Sequence, residues 1–287
     1  MPALLLVGHG SLSNPASARP VYRLADAVAA SGLFSVVRTA FWKEEPAIVQ
    51  GVRALSGEDL VVLPVFAADS YFTDTVIPRE IGLTPGGRRP ETHLTVEHGG
   101  RLLRYTRPLG AHPALREAIL DAARRAAGDA GLDPATTTLV LAARGGQRRS
   151  AGRAASERAA ALSGTGGFDG AVAWFPWDHD QPHWTELTAS AAAVIVPHVL
   201  TDWWFSAEPL PPELAEAPVG RTAVLAEPLA SAERFVEAML DLAGVTASVS
   251  RQEDAPAPRE ALRAFLERAG SVLLAAHTCG NPGQVEH

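Results

Sequence analysis

The feature that most constrains the fold is a pattern of strands and helices that occurs twice along the chain. In each half, short apolar runs alternate with helical periodicity, which predicts parallel sheets with helices on their faces. Four landmarks recur at offsets of 135, 133, 133 and 120 residues: His9 with Arg144, Pro64 with Pro197, Pro78 with Pro211, and Pro108 with Pro228. Landmarks that recur in the same order at similar spacing predict a duplicated α/β domain.

The repeat also divides the chain. Residues 1–130 are predicted to form the first domain and residues 138–248 a second, degenerate copy. Each copy is expected to be a three-layer αβα domain with a mostly parallel sheet of about four strands. Residues 249–287 fit neither copy and are predicted to be a linker, a helix and a tail.

Composition excludes several classes of function. The 287 residues carry a net charge of -7, which argues against nucleic acid as the main partner. The single cysteine, Cys279, rules out an intramolecular disulfide and an iron–sulfur cluster bound by this chain alone. No apolar run reaches about eighteen residues, and Met1 leads directly into the first strand, so we expect a cytoplasmic protein without a membrane partner.

His9 is the first candidate functional residue. The apolar run at 4–7 ends in Gly8-His9-Gly10-Ser11, which is typical of a buried strand that delivers a side chain to the carboxyl edge of a sheet. Open α/β folds place their binding sites at this edge. The alternative is that His9 only caps the turn by hydrogen bonding.

Two aspartates occupy the same position of the repeat. Asp69 lies five residues beyond Pro64, and Asp202 lies five residues beyond Pro197. Both are therefore predicted to reach the carboxyl edges of their sheets, where they would contact a ligand.

A basic, glycine-rich loop opens the second half. Arg144, Gly145, Gly146 and Arg148 precede a predicted helix, and guanidinium groups near a helix N-terminus suit a carboxylate or a phosphate. The loop thus indicates a polycarboxylate small molecule as ligand. The alternatives are a solvated helix face, on which Arg158 pairs with Glu157, or a hydrolase or transferase that acts on an anionic substrate.

Four motifs together resemble a known family, the class II tetrapyrrole chelatases, and specifically the CbiX and SirB sirohydrochlorin chelatases. The motifs are the Leu-Val-Gly-His-Gly-Ser opening, Ala40-Phe41-Trp42-Lys43-Glu44-Glu45-Pro46, the segment from Pro64 to Pro78, and Pro108-Leu109-Gly110-Ala111-His112-Pro113. The strings around 41–46 and 71–80 are most similar to the multi-domain chelatase-like proteins of the Deinococcus type. The resemblance covers residues 1–130 well and residues 138–245 more faintly.

The resemblance implies a cleft between two α/β lobes, in which a divalent metal is inserted into a tetrapyrrole without ATP. Co2+, Fe2+ or Ni2+ would then be a substrate, and no nucleotide would be needed. His9 matches the first metal-handling histidine of the family, with Ser11 beside it at the ligand. Glu44 or Glu45 matches the family glutamate, and spacing does not choose between them. Such groups suit weak ligation of the metal and acceptance of the pyrrole protons.

The chain departs from the family at the second histidine, which lies about eight residues after the proline of the third strand. That count gives Phe72 in the first half and Phe205 in the second. If the halves face each other, His179 or Asp178 would complete a metal site with His9 and Glu45, in a monomer or a homodimer. The alternative is a non-catalytic protein that binds a metal or a tetrapyrrole on the same fold.

Overall fold

The computed structural model describes residues 1–12, 14–55, 57, 59–83, 93–143, 150–164, 166–176, 182–198, 200, 219–226, 229 and 232–245. The region predicted to be a linker, helix and tail, 249–287, lies outside these ranges. Among the helices of the described residues, none has the length and apolar character needed to cross a membrane.

The first half of the chain builds one sheet. Its strands are β1 (Ala3–Gly8), β2 (Val37–Phe41), β3 (Leu60–Pro64), β4 (His93–His98) and β5 (Arg101–Thr106). Its helices are α1 (Arg19–Ala29), α2 (Ile48–Ala54), α3 (Ile77–Glu80) and α4 (Ala114–Asp129), with a π-helical turn at Phe72–Val76 and 3₁₀ turns at Pro15–Ala18 and Leu109–Ala111.

The second half builds another sheet. Its strands are β6 (Thr137–Ala142), β7 (Gly170–Trp174), β8 (Ala192–Pro197) and β9 (Thr222–Leu225). Its helices are α5 (Ser150–Leu162), α6 (Trp184–Leu187) and α7 (Ala232–Leu242), and a 3₁₀ turn at Pro134–Thr136 joins it to the first half.

The two sheets have the same topology. The first has the strand order β2-β1-β3-β5-β4 and the second the order β7-β6-β8-β9. All neighbours in these sheets are parallel except the hairpin of β4 and β5. When β4 is left out, both sheets have the same strand order. The first strand of each half, β1 or β6, then lies inside its sheet, between two parallel neighbours. The predicted fold class, a tandem pair of mostly parallel α/β sheets, is confirmed.

Strand β1 is apolar at consecutive positions because both faces of its sheet are covered. Leu4 and Leu6 pack into one core, and Leu5 and Val7 pack into another on the opposite face. A side-chain period of two places alternate residues on opposite faces, so an uninterrupted apolar run is what a doubly covered parallel strand requires.

The core that contains Leu4 and Leu6 extends through both halves of the chain. It joins buried residues of β1, α1 and α4 to buried residues of β6, β8 and α7, among them Val21, Leu24, Leu115, Ile119, Leu139, Leu141, Val194, Val196, Phe235 and Val236. Polar contacts also connect the two halves. Arg104 Nη1 on β5 donates to the carbonyl of Ala243 after α7, and His112 Nε2 lies 3.0 Å from Asp241 Oδ2. The halves are therefore tied together by a common apolar interior.

The segment between Gly82 and Gly100, before β5, is rich in glycine, proline and arginine, a composition that predicts an excursion such as a hairpin or a lid. The described part of it is strand β4, which pairs antiparallel with β5 at the edge of the first sheet. Residues 84–92 lie outside the described residues.

Candidate metal and ligand site

His9 lies in the loop that follows β1, at the carboxyl edge of the first sheet. Its side chain is half-buried, and Nδ1 lies 2.9 Å from the carbonyl oxygen of Gly10. A carbonyl can only accept, so in this hydrogen bond Nδ1 carries the proton and the neutral ring keeps its lone pair on Nε2. Metal-binding histidines are commonly oriented in this way, by a hydrogen bond from the second ring nitrogen.

Four aromatic side chains form what we call the aromatic cluster: Trp42, Phe66, Tyr71 and Phe72. Phe72 is its centre, with ring centroids 6.1 Å from Phe66 and 6.4 Å from Trp42. The Phe72 ring also meets the His9 imidazole edge-on at 4.9 Å. Phe72, which the family resemblance places at the position of the second histidine, is thus in direct contact with His9, but its side chain offers no metal ligand.

Phe72 is placed beside His9 by an irregular stretch of backbone. It opens the π-helical turn that runs into α3, and such turns occur often at functional sites. Tyr71, just before the turn, is 61% exposed, whereas Phe72 is half-buried. The aromatic cluster therefore extends from the His9 ring to the protein surface.

Glu44 is held by the loop after β1. Its Oε2 accepts hydrogen bonds from the backbone N–H of Ser11 at 3.3 Å and from Ser17 Oγ at 3.0 Å. Gly10 makes this possible, because its φ is +67° and a Cβ at that position would lie 2.7 Å from the Cβ of Glu44. Ser11, predicted as a ligand contact, thus helps to hold the carboxylate of Glu44 at the end of β1.

Glu45 has a different environment. Its side chain is exposed, and Oε2 accepts from the N–H of Ala47 at 3.2 Å. Of the two glutamates that spacing could not separate, Glu44 is bound into the loop structure and Glu45 faces solvent.

Glu44→Ala is expected to lower the free energy of unfolding by about 1–3 kcal/mol, because it removes the acceptor of two partly buried hydrogen bonds. The matched control, Glu45→Ala, removes an exposed carboxylate and should change stability by no more than about 0.5 kcal/mol. Urea unfolding followed by circular dichroism measures both values. Equal effects of the two substitutions would show that Glu44 does not hold the loop.

Asp69 lies in the loop after β3, at the same carboxyl edge as His9. Its Oδ2 is 2.7 Å from Arg107 Nη2, in an ion pair whose aspartate side chain is 16% exposed and whose arginine side chain is 35% exposed. Arg107 directly follows β5, so the pair joins the ends of two neighbouring strands.

Arg158 on α5 reaches across to the first half. Its Nη2 donates to the carbonyl oxygen of Gly110 at 2.7 Å. Glycine is needed there, because a Cβ at position 110 would overlap the carbonyl group of Ala67. Burial lowers the pKa of the Arg158 guanidinium; the charge of Asp69 opposes this shift and the charge of Arg107 adds to it. Arg158 is thus not part of a solvated helix face, as one sequence interpretation held.

His198 follows β8 at the carboxyl edge of the second sheet and is 5% exposed. Burial lowers its pKa to about 3, and the positive charge of Arg158 adds to the shift. We call Asp69, Arg107, Arg158 and His198 the inter-sheet polar cluster. Sequence reasoning did not find it, although one signal existed: Arg158 lies within the buried stripe of α5 formed by Ala155, Ala159 and Leu162.

The remaining predicted site residues belong to the second half and lie outside the described residues: Arg144, Gly145, Gly146, Arg148, Asp178, His179 and Asp202. Phe205, the second-half counterpart of Phe72, also lies outside. Within the described ranges, no three or more histidine, cysteine, aspartate or glutamate side chains come together as a metal site.

Comparison with known proteins identifies relatives of this chain. The CbiX family profile matches residues 3–126. A sirohydrochlorin cobaltochelatase of Methanopyrus kandleri is 34% identical over 144 residues, which cover 45% of this chain and 99% of the relative. The chain belongs to the CbiX family. A probable sirohydrochlorin cobaltochelatase of Halobacterium salinarum is 37% identical over 137 residues, 45% of this chain and 47% of the relative.

The CbiX-type fold extends beyond the region matched by the family profile. A multi-domain protein of Deinococcus radiodurans, with structural similarity to chelatases and two additional novel domains, superposes with a TM-score of 0.71 at 33% identity. The match covers 84% of this chain and 54% of the Deinococcus chain. The chain thus spans about half the length of the Deinococcus protein and of the Halobacterium relative. The predicted resemblance, including that to the Deinococcus type, is confirmed.

Proposed function

We propose that this CbiX-family chain inserts a divalent metal, Co2+ or Fe2+, into a sirohydrochlorin-type tetrapyrrole without ATP. The main observation in support is the position of the His9 imidazole, directly after β1 at the carboxyl edge of the first sheet, where Nδ1 is hydrogen-bonded to the carbonyl of Gly10. The names of the Methanopyrus and Halobacterium relatives, both cobaltochelatases, support a tetrapyrrole and cobalt as substrates.

In this proposal His9 is a transient ligand of the incoming metal. Imidazole nitrogen binds borderline divalent ions such as Co2+ and Fe2+, and the lone pair on Nε2 is the ligating group when Nδ1 is protonated. A site with few strong ligands holds the ion weakly, so the metal can pass to the four nitrogens of the macrocycle. That transfer requires two pyrrole protons to leave.

Glu45 is the carboxylate we assign to proton acceptance. Its side chain is exposed next to the loop that holds His9, whereas the Glu44 carboxylate is occupied with Ser11 and Ser17. A carboxylate exchanges protons readily with water at neutral pH.

The aromatic cluster supports a flat ligand beside His9. Aromatic side chains bind planar π-systems by stacking or by edge contacts, and Tyr71 exposes more than half of its surface. Phe66 and Phe72 lie nearly parallel, at 19°, which gives this part of the site a defined orientation.

A second function is favoured by one specific observation, the contact of Phe72 with the His9 ring. A phenyl group at the position of the second histidine leaves His9 with a neighbour that cannot bind metal. The chain would then be a carrier of a metal or a tetrapyrrole, which retains the fold and has no insertion activity.

Metal binding and insertion separate the two functions. Co2+ and, without oxygen, Fe2+ are titrated into the wild type and His9→Ala by calorimetry, and the absorption spectrum of added sirohydrochlorin is followed. Loss of an imidazole ligand is expected to weaken Co2+ binding by about tenfold or more and to slow spectral conversion to the same degree. His98→Ala, which removes a half-buried histidine at the end of β4, is the control and should change neither.

Conversion that depends on His9 supports the chelatase. Binding of metal or macrocycle without conversion supports the carrier. If neither ligand binds, both proposals fail.

A further inference from the structure

The inter-sheet polar cluster contains buried polar atoms that the fold does not satisfy. Arg158 Nε and His198 Nε2 have no hydrogen-bond partner among the described residues, and neither has the hydroxyl of Ser70, which adjoins Asp69 in sequence. Buried polar atoms are almost always paired in native proteins, so two unpaired atoms in one cluster require an explanation. They come from two different elements, α5 and the end of β8.

The charges of the cluster do not balance. Arg107 and Arg158 carry two positive charges against the single negative charge of Asp69, and His198 is neutral above a pKa of about 3. The four residues of the cluster, all in the described part of the chain, thus have a net charge of +1 among themselves and are partly shielded from water. An unbalanced charge in a low-dielectric setting is costly, and an anion removes the cost where a water molecule does not.

We propose that the inter-sheet polar cluster is a carboxylate-binding site between the two halves of the chain. A guanidinium presents N–H groups in a planar arrangement that matches the two oxygens of a carboxylate. The Nε–H of Arg158 is one of the two donors of such a bidentate contact. Neutral His198 can donate to the same oxygens through Nε2–H.

Arg107 gives the site its access to solvent. Its side chain is 35% exposed, and its Nη2 forms the ion pair with Asp69. Its remaining N–H groups can donate hydrogen bonds to an incoming carboxylate. The ligand would therefore bind between a partly exposed and a mostly buried arginine, with Asp69 orienting the first of them.

A short series of contacts connects the site to His9. Gly110, which accepts from Arg158, donates its N–H to the carbonyl of Phe66 at 2.8 Å. Phe66 stacks on Phe72, and Phe72 contacts His9. The carboxylate is therefore either a free organic anion or a side arm of a larger ligand bound at the aromatic cluster.

Two measurements distinguish these sources. The first is the thermal midpoint of unfolding in succinate relative to chloride at equal ionic strength. The second is the Kd for a metal-free porphyrin octacarboxylate, followed by absorption, which needs no insertion activity. Both are made on the wild type and on Arg158→Met, which keeps an unbranched chain of similar length without the charge. Arg153→Met is the matched control, because Arg153 lies on the same helix and is exposed.

We expect Arg158→Met to abolish the succinate shift, or to raise the porphyrin Kd by about tenfold or more, while Arg153→Met does neither. A lost succinate shift assigns the site to a free anion, and a change confined to the porphyrin assigns it to a ligand arm. Arg107→Gln should give the same pattern, and it provides a test if Arg158→Met does not fold. If succinate and porphyrin act equally on wild type and both variants, the carboxylate site is disproved, whether or not the chain inserts metal.

Discussion

Phe72→His is expected to tighten the binding of Co2+ by about hundredfold, because it provides a second imidazole next to His9 on the same rigid scaffold. The rings of Phe72 and His9 are 4.9 Å apart between centroids. Two imidazoles at such a distance can share one ion with metal–nitrogen bonds of about 2.0–2.1 Å. The substitution also restores the residue type that the family resemblance places at this position. Calorimetry with Co2+ measures the gain.

Two variants show whether the gain comes from a shared ion. Phe72→Leu replaces the ring with an apolar side chain and should leave Co2+ affinity near that of the wild type. The double variant His9→Ala/Phe72→His removes one of the two imidazoles and should lose most of the gain. An affinity that rises equally in the single and double variants would mean that the new histidine binds metal without His9.

The architecture was accessible from the sequence because its signals are local and repeated. An apolar run such as residues 4–7 is interpretable without knowledge of its partners, since a strand covered on both faces has no polar positions. Recurrence of the same landmarks then predicted two sheets, and the sheets do share one strand order. Strand β4 gave a weaker signal, because an edge strand with exposed residues such as Leu94 alternates with polar side chains.

The position of His9 was also accessible, since two glycines after a buried strand mark a tight turn at the sheet edge. The roles of Glu44 and Glu45 were not. They are adjacent in sequence, and what separates them is the approach of Ser17, from the 3₁₀ turn before α1, to one carboxylate only. A spacing rule contains no information about contacts between segments that are distant in sequence.

The same limit explains why the inter-sheet polar cluster was missed. Arg158 was interpreted with its sequence neighbour Glu157, whereas its hydrogen bond goes to Gly110, 48 positions away. A buried arginine in an alanine-rich helix is indicated by the periodicity of the helix, but its partner depends on how the two halves pack. His198 follows an apolar strand in the sequence, but only the structure shows that it is buried next to a positive charge.

Because its imidazole is buried, His198 makes the folded state less stable at acidic pH. Its pKa is about 3 in the folded chain and 6.5 when exposed, so between these values the unfolded state binds a proton that the folded state does not. The stability contributed by neutral His198 is present above pH 6.5 and is lost as the pH falls towards 3. Between pH 7 and about pH 5 the loss amounts to about 2 kcal/mol. Among the described residues, the charged group that acts on this ring is Arg158, and Asp69 and Arg107 act in turn on Arg158.

His198→Leu removes the titrating ring. Over that pH range the free energy of unfolding of the variant should therefore fall by about 2 kcal/mol less than that of the wild type. Urea unfolding in chloride salts at several pH values measures the difference, and His98→Gln, at a half-buried histidine of the hairpin, should behave like the wild type. Chloride is chosen because a carboxylate bound to Arg158 would offset its charge and weaken the penalty on His198⁺. Parallel stability curves for His198→Leu and wild type would mean that His198 is protonated as easily in the folded chain as in water.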